Sequence, residues 1–460
     1  MRWAAIVAGA LLLAWPALLN GYPLVFIDSV SYLGQALFPE WPWDKTPVYG
    51  AVLSLFHQGW SLWPALAAQG LVVSHLLWLA QRGVRGVARP GAHLLLCAGL
   101  ALLTPAPWFV ATLMPDVFAA VAPLCLLLLA FAPLSRAEAA WLVLLGAIAI
   151  AAHLSHLPTA IVLIVLVLIV AGLRGALRAG LPVLLAIAGL VGVNAWAVGQ
   201  ATLSPNGAIF LLARLQADGP AAQTIRDHCP QAGWHLCAFA DALPMDSDTF
   251  LWDPQSSLNR QPDGTPIPMG GMRGAPEARI ILAATLREHP LAVAEAMLRN
   301  TLTQMTRFAV GDTLGATHLA ASARRAIARL PDAELTAFDA GAQMRGVLHE
   351  RAAPWLMPHR WVVLASLPLA LLALWRAIRA GERAAAGMLA GLLVAVAANA
   401  FATGALSAPV DRYQARIVWL IPLAAALGTA RRFGPGLNNT TPARNRITAW
   451  TSSSSSSPSS

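Results

Sequence analysis

Two aspartates stand where apolar segments of the sequence end, and a carboxylate in such a place can do chemistry. Asp28 follows the apolar segment 22–27, and Asp116 precedes a long apolar run. Desolvating a carboxylate is costly, so its presence indicates a cavity, an ionic partner or a substrate. We predict catalytic roles for Asp28 and Asp116. The alternative for each is a helix N-cap, which aspartate favours.

Two histidines are the next candidates. His153 and His156 lie three residues apart, a spacing that places both on one face of a helix. With a carboxylate they could bind a divalent metal, although the sequence has no His-Glu-x-x-His motif. Three interpretations remain open: a metal site, hydrogen bonding to a polar substrate, and structural polar contacts.

Two arginines stand at the start of the last apolar run. Arg412 and Arg416 lie on the side of the chain's alternating pattern that otherwise lacks basic loops. They therefore require an anion, which a lipid phosphate, a substrate phosphate or Asp411 would supply. Phosphate recognition is the prediction, and a structural ion pair is the alternative.

Lys45 follows Asp44 in a segment that also carries Trp41 and Trp43. Tryptophans of this kind form an aromatic belt at a membrane interface, which is the simpler interpretation. Their faces could equally stack on sugar rings. Lys45 is a candidate substrate-binding residue.

Cys229 and Cys237 lie eight positions apart in a polar part of the chain. In an oxidising compartment they would form a disulfide, which is the favoured interpretation. Free thiols, or a zinc site completed by His228 and His235, remain alternatives.

The elements that must position these residues are membrane helices. Hydrophobic residues make up 57% of the 460-residue chain and charged residues 12%, against about 25% charged in soluble domains. Apolar runs of about 18 or more residues indicate spans. We predict ten, at 3–20, 62–80, 92–110, 117–134, 139–155, 157–173, 181–199, 361–378, 385–404 and 413–430.

The arginines set the predicted orientation. They collect in alternate loops, which places those loops and both termini in the cytoplasm. This topology accounts for the net charge of +9, and no basic recognition motif supports nucleic-acid binding. The predicted location is a bacterial-type inner membrane, crossed several times. The candidate residues then share the external side.

The predicted organisation has four parts. They are an N-terminal transmembrane region 1–200 with a first external loop 20–58, an external (periplasmic) insertion 201–358, C-terminal transmembrane helices 359–433, and a disordered cytoplasmic tail 434–460. The insertion is expected to be mostly helical, with 246–274 as loop. Periodicity predicts a helix over 276–305. Its expected inward positions are Ile280, Leu282, Leu286, Leu291, Ala294 and Leu298.

The layout resembles the GT-C superfamily of polyprenyl-phosphate-dependent membrane glycosyltransferases, which includes protein mannosyltransferases and the lipid A aminoarabinose transferase. The resemblance lies in Phe26-Ile27-Asp28-Ser29-Val30-Ser31-Tyr32 after the first span and in Leu113-Met114-Pro115-Asp116 after the third. It implies an all-α polytopic fold with an external domain. It also implies an inverting transferase, in which Asp28 is the general base and Asp116 a second acid that assists the acceptor or a metal.

The same resemblance implies that Arg412 contacts the donor phosphate. The partners would be a polyprenyl-phosphate sugar donor, membrane lipids, and a glycan, lipid or protein acceptor. No cofactor is required with certainty, and a divalent metal remains open. The candidate substrate-binding residues are Tyr32, Lys45, His153, His156, Arg412 and Arg416.

Two other functions compete with glycosyl transfer. A transporter or flippase of lipid-linked saccharides should carry charged residues near the bilayer midplane. Most polar groups here gather at one mouth instead, which favours an enzyme. A non-enzymatic membrane assembly factor that uses the insertion as a binding surface also fits the sequence.

Overall fold

The structure is a computed structural model that describes residues 1–38 and 43–429. The described residues form helices, turns and two isolated β-bridges, without any strand. The tail predicted to be disordered, 434–460, lies outside the described residues. The described residues cluster as one compact unit.

Short and long helices alternate in the N-terminal region. Prolines explain several of the breaks, because a proline lacks the backbone N–H that a continuing helix needs. Pro16 lies at the start of α2, and a 3-10 turn, Pro115–Val117, precedes α8. The helices are α1 (Arg2–Leu13), α2 (Trp15–Asn20), α3 (Ser29–Leu37), α4 (Val48–His57), α5 (Trp63–Arg85), α6 (Pro90–Leu103), α7 (Ala106–Ala111), α8 (Phe118–Phe131), α9 (Arg136–Ala151) and α10 (His156–Val198).

The chain bends sharply inside α10. Gly172 has φ 69° and ψ −173°, which is outside the helical region. A methyl group at Gly175 would lie 3.4 Å from Cγ1 of Val167, eight residues earlier, whereas eight residues of straight helix span about 12 Å. The predicted spans 157–173 and 181–199 are therefore two arms of one bent helix without a loop between them.

The insertion divides into two parts that pack into different hydrophobic cores. Residues from Ile209 to Val293 form a small hydrophobic core of their own, whereas Val310 to Leu348 pack into the main core with the N- and C-terminal helices. The helices of this part are α11 (Gly207–Asp218), α12 (Pro220–His228), α13 (Ser247–Trp252), α14 (Gly270–Glu288), α15 (Pro290–Thr306), α16 (Ala323–Ile327) and α17 (Asp332–Asp339).

The predicted helix 276–305 is two helices, α14 and α15, separated at His289. Of the six expected inward positions only Leu282 is buried, and the other five are exposed. The prediction was wrong because it assumed that an apolar stripe must face a protein core. The buried face of α15 carries Asn300 and Gln304, which pack on residues 401–405, and its apolar face points outward. Helices that rest on a bilayer surface have this pattern.

The C-terminal helices complete the bundle. The first of them begins at Leu348, inside the region predicted as insertion, and runs through three prolines. A π-helical turn, Phe401–Ala405, extends the second. The helices are α18 (Leu348–Arg379), α19 (Arg383–Ala400), α20 (Asp411–Val418) and α21 (Leu420–Thr429).

Four helices in the described part of the chain are long and apolar enough to cross a membrane. They are α5, α10, α18 and α19 with its π-helical extension. Several other predicted spans coincide with shorter apolar helices, such as α1, α6 and Pro115–Phe131. The prediction of ten spans therefore stays a prediction.

Candidate functional site

The two segments that carry Asp28 and Asp116 are joined by their backbones. Leu24 forms a parallel β-bridge with Thr112: its N–H donates to Ala111 O at 3.0 Å, and its carbonyl accepts from Leu113 N at 2.8 Å. The hydroxyl of Ser29 donates to Leu113 O at 3.0 Å. These bonds fix the start of α3 beside the turn that precedes α8.

Asp116 binds both predicted arginines. Its Oδ2 lies 3.3 Å from Nη1 of Arg412, and its Oδ1 lies 3.0 Å from Nη1 of Arg416. The arginines reach one carboxylate because residues four apart share a face of α20. All three side chains are buried. The N-cap alternative for Asp116 does not hold, because Val117 occupies the cap position of α8.

Arg412 also approaches the other aspartate. Its Nη2 lies 3.7 Å from Oδ2 of Asp28, and its guanidinium carbon lies 4.1 Å from the ring centroid of Phe26. Asp28 does occupy the N-cap position of α3, but its side chain makes no capping hydrogen bond. Arg412 is thus shared between the two predicted catalytic carboxylates.

Lys45, the only lysine of the chain, forms an ion pair with the other carboxylate oxygen of Asp28. Its Nζ lies 3.3 Å from Oδ1 of Asp28 and 2.8 Å from Oδ2 of Asp44. Burial raises the pKa of Asp28, but the charges of Lys45 and Arg412 outweigh burial and hold that pKa below its usual value. Burial lowers the pKa of Lys45, whereas the two carboxylates raise it well above its usual value. The pair is therefore fully ionised at neutral pH.

The histidines attach to the cluster through a serine. Nη2 of Arg416 donates to Ser155 Oγ at 3.0 Å, and that hydroxyl lies 2.8 Å from Nδ1 of His153. Nδ1 also accepts from Ser155 N, so a neutral His153 carries its proton on Nε2. Burial, with Arg416 and other nearby cations, lowers the pKa of His153 well below its usual value. His153 is a neutral donor.

The two histidines do not share a helix face. His153 lies in the turn before α10, and His156 is the first residue of that helix. Their rings are nonetheless 5.4 Å apart, and Nδ1 of His156 lies 2.7 Å from Ala149 O. The described residues contain no group of three or more His, Cys, Asp or Glu side chains that could hold a metal.

Tyr32 packs beneath the cluster. Its ring is buried and meets Tyr49 edge to face at 5.1 Å. Tyr32 lies one helical turn after Asp28. It is close enough to Lys45 and Asp28 for their charges to affect the pKa of its phenol. Burial is the largest effect and raises its pKa above the usual value, so the phenol stays protonated.

Cys229 and Cys237 are joined by a disulfide. The two histidines of the zinc alternative are engaged elsewhere. Nε2 of His228 lies 3.0 Å from Glu288, and Nε2 of His235 lies 2.8 Å from Ser257 O.

Three residues join the site without having been predicted as site residues: Asp44, Ser155 and Asp312. The first two had a local signal, because Asp44 precedes Lys45 and Ser155 stands between the histidines. Asp312 had none. It lies near Arg412, and burial raises its pKa to about 6 against the lowering effect of Arg412.

The cluster can bind an anion and accept a proton. Arg412 and Arg416 offer guanidinium N–H donors, and their Nε atoms, which are buried, make no hydrogen bond within the described residues. Buried donors of this kind require a partner, and a phosphate would satisfy them. Asp28 is the more exposed of the two carboxylates, with 30% of its side chain accessible against 3% for Asp116.

Over residues 1–38 and 43–429, the fold is helical, four helices are able to cross a membrane, and an ionic centre lies at the start of α3 and α20. No protein-family model, curated protein or solved structure matches the chain.

Proposed function

We propose that the protein is an integral membrane glycosyltransferase of the GT-C type. It moves a sugar, with inversion, from a polyprenyl-phosphate donor to a lipid, glycan or protein acceptor at the external face of a bacterial-type inner membrane. The observation that supports this most is the position of Arg412, which contacts both Asp116 and Asp28. A cation between two carboxylates can stabilise the negative charge of the leaving group and also orient the catalytic base.

Arg412 and Arg416 are the groups that bind the donor phosphate in this proposal. Guanidinium groups form charge-assisted, bidentate bonds with phosphate oxygens. Asp116 holds both arginines on one side and so orients them. Donors placed where negative charge develops stabilise the transition state, and here the charge develops on the departing lipid phosphate.

Asp28 is the general base. The acceptor hydroxyl oxygen attacks C1 of the donor sugar, the bond from C1 to the phosphate oxygen breaks, and the hydroxyl proton passes to Asp28. The contact between Arg412 and Asp28, at 3.7 Å, is longer than those that Asp116 makes. A phosphate that binds Arg412 would weaken this contact, and the basicity of Asp28 would rise as the donor arrives.

The other candidates have supporting roles. Neutral His153 offers Nε2–H to a substrate hydroxyl or phosphate oxygen, and His156 lines the same region. Lys45 keeps Asp28 ionised and oriented, and Tyr32 forms the floor beneath them. The helices able to cross a membrane, α5, α10, α18 and α19, supply the membrane surroundings of the donor lipid.

The glycolipid and glycan profile of a deletion strain tests the proposal. The strain is complemented with the wild-type gene, with Asp28→Asn, or with Asp263→Asn, a matched change at an exposed aspartate of the insertion. We expect the deletion strain to lack one sugar and to accumulate its polyprenyl-phosphate donor. Wild type and Asp263→Asn should restore the sugar, whereas Asp28→Asn should not, at equal protein abundance in the membrane.

Two results would overturn the assignment. Restoration of the sugar by Asp28→Asn would remove the base. Accumulation of the lipid-linked sugar on the cytoplasmic leaflet would indicate a flippase, since a missing transferase leaves its donor on the external leaflet.

A further inference from the structure

Two tryptophans form an open aromatic surface beside the ionic cluster. The rings of Trp43 and Trp252 lie 5.7 Å apart with an interplanar angle of 39°. Trp43 is fixed from behind, because it stacks on Phe210 at 5.7 Å and its carbonyl accepts from Asn206 at 3.0 Å. Trp252 is 48% exposed. Trp252 therefore supplies the accessible ring of this surface, and the partly buried Trp43 supports it.

This surface is connected to the cluster by sequence and by space. Trp43 immediately precedes Asp44 and Lys45; Asp44 pairs with Lys45, and Lys45 pairs with Asp28. Asp248 lies four residues before Trp252 on α13, so the two share a helix face. The exposed carboxylate of Asp248 is close enough to interact electrostatically with both Asp28 and Arg412. The tryptophans and Asp248 thus stand at the mouth of the site.

We infer that Trp43, Trp252 and Asp248 bind a sugar ring of the acceptor. The C–H face of a pyranose is apolar and covers an aromatic face, and an ionised carboxylate accepts hydrogen bonds from neighbouring hydroxyls. Naming this sugar as part of the acceptor rests on the proposed function, whereas the binding of a sugar does not. The donor phosphate then lies on the arginine side of Asp28 and the acceptor on the opposite side.

The acidic residues around Trp252 distinguish a sugar-binding site from an aromatic belt at a membrane surface. Trp252 is followed by Asp253 and preceded by Asp246 and Asp248, of which the last two are exposed. Carboxylates avoid hydrocarbon and repel the anionic lipid head groups of a membrane surface. A neutral or basic polyhydroxyl ligand suits both the aromatic rings and the acidic rim.

Saturation-transfer NMR on the full-length protein in detergent tests the site directly. The probes are methyl α-mannopyranoside, methyl β-galactopyranoside and methyl N-acetyl-β-glucosaminide. We expect ring protons of at least one probe to receive saturation from the wild type. Trp252→Ala and Asp248→Asn should each weaken its binding about tenfold, and Trp252→Phe should restore most of the loss. Trp60→Ala is the matched control, since Trp60 is 73% exposed elsewhere.

Each contrary outcome has a distinct meaning. If no probe receives saturation, or if Trp252→Ala binds as the wild type does, the sugar site is wrong. A nitroxide at Trp252→Cys that is accessible to oxygen and protected from a water-soluble relaxant would place the residue in lipid and would also overturn it. Failure of glycosyl transfer with sugar binding intact would overturn the proposed function alone.

Discussion

Asp116 is held by two guanidiniums that lie four residues apart on α20, and none of the three side chains is more than 8% exposed. Removal of one partner from a buried ionic group leaves the other charge unpaired in a medium of low dielectric. The cluster therefore has a structural role as well as a chemical one.

We expect Asp116→Asn to destabilise the protein by about 3–5 kcal/mol, because two buried guanidiniums lose their shared anion. The measurement is the midpoint of thermal unfolding in detergent. Asp339→Asn is the matched control, because it breaks the ion pair between Asp339 and Arg324. The side chain of Arg324 is 43% exposed and that of Asp339 is 38% exposed, and water screens such a pair. Equal shifts for the two variants would contradict the burial of the cluster.

Asp312 gives the site a dependence on pH. Burial raises the pKa of Asp312 from its usual value of 3.8 to about 6 in the folded protein, so the folded state binds its proton more tightly than the unfolded state does. That contribution to stability is complete below pH 3.8 and is lost as the pH rises through about 6.

The Asp312→Asn variant should remove this dependence. An asparagine has the shape of the protonated aspartate and never ionises, so the variant should equal the wild type near pH 4 and exceed its stability above pH 7. Asp312 keeps part of its surface open to solvent, which screens its charge, so the difference will be modest. Thermal midpoints measured between pH 4 and 8 check it. A difference that is constant over this range would show that Asp312 does not titrate as described.

At the scale of elements, α14 packs against Trp43 and so supports the residues that follow it. Gly271 lies against the ring of Trp43, and a Cβ there would overlap the indole. The ring cannot easily move away, because Phe210 and Trp252 pack around it. The position of Lys45, two residues after Trp43, thus depends on a glycine far along the chain.

Gly271→Ala should cost about 1–3 kcal/mol through overpacking and should weaken binding of the sugar probes. Gly189→Ala is the control, since a Cβ at that helical glycine meets no atom within 4 Å and alanine favours helix by about 1 kcal/mol. Thermal midpoints of the two variants should move in opposite directions. A Gly271→Ala protein as stable as the wild type would show that the indole is free to shift.

The sequence predicts elements well where the signal is local. The predicted span 385–404 coincides closely with α19, and 62–80 falls almost wholly within α5. The sequence misplaces elements whose positions depend on contacts between distant parts of the chain. His153 leaves the helix of His156, Gly172 bends α10 without any polar loop, and α15 turns an apolar stripe outward.

The candidate site shows the same division. Asp28, Asp116 and Arg412 could be chosen because each stands beside an apolar run, Asp28 after it and the other two before it. The bonds among them could not, since Asp116 and Arg412 are 296 positions apart. The link from Lys45 to Asp28, and the approach of Asp312 to Arg412, likewise depend on how separate parts of the chain pack.

For the whole molecule, the proposed topology places the insertion and the loop after α5 on opposite sides of the membrane. A membrane-impermeant maleimide should label Asp263→Cys in intact spheroplasts and should label Val87→Cys only after lysis. Both positions are exposed, whereas Cys97 and Cys125 are buried and give little background. Labelling of both variants before lysis would contradict the orientation.

In the proposed mechanism Arg412 binds the phosphate of a lipid donor. The most direct test of this binding is ³¹P NMR titration of the full-length protein in nanodiscs with geranylgeranyl phosphate as the probe. We predict saturable binding to the wild type, a loss of at least about tenfold for Arg412→Gln, and no loss for Arg324→Gln, which alters an exposed ion pair. Equal binding by all three proteins, or binding by none, would contradict the account.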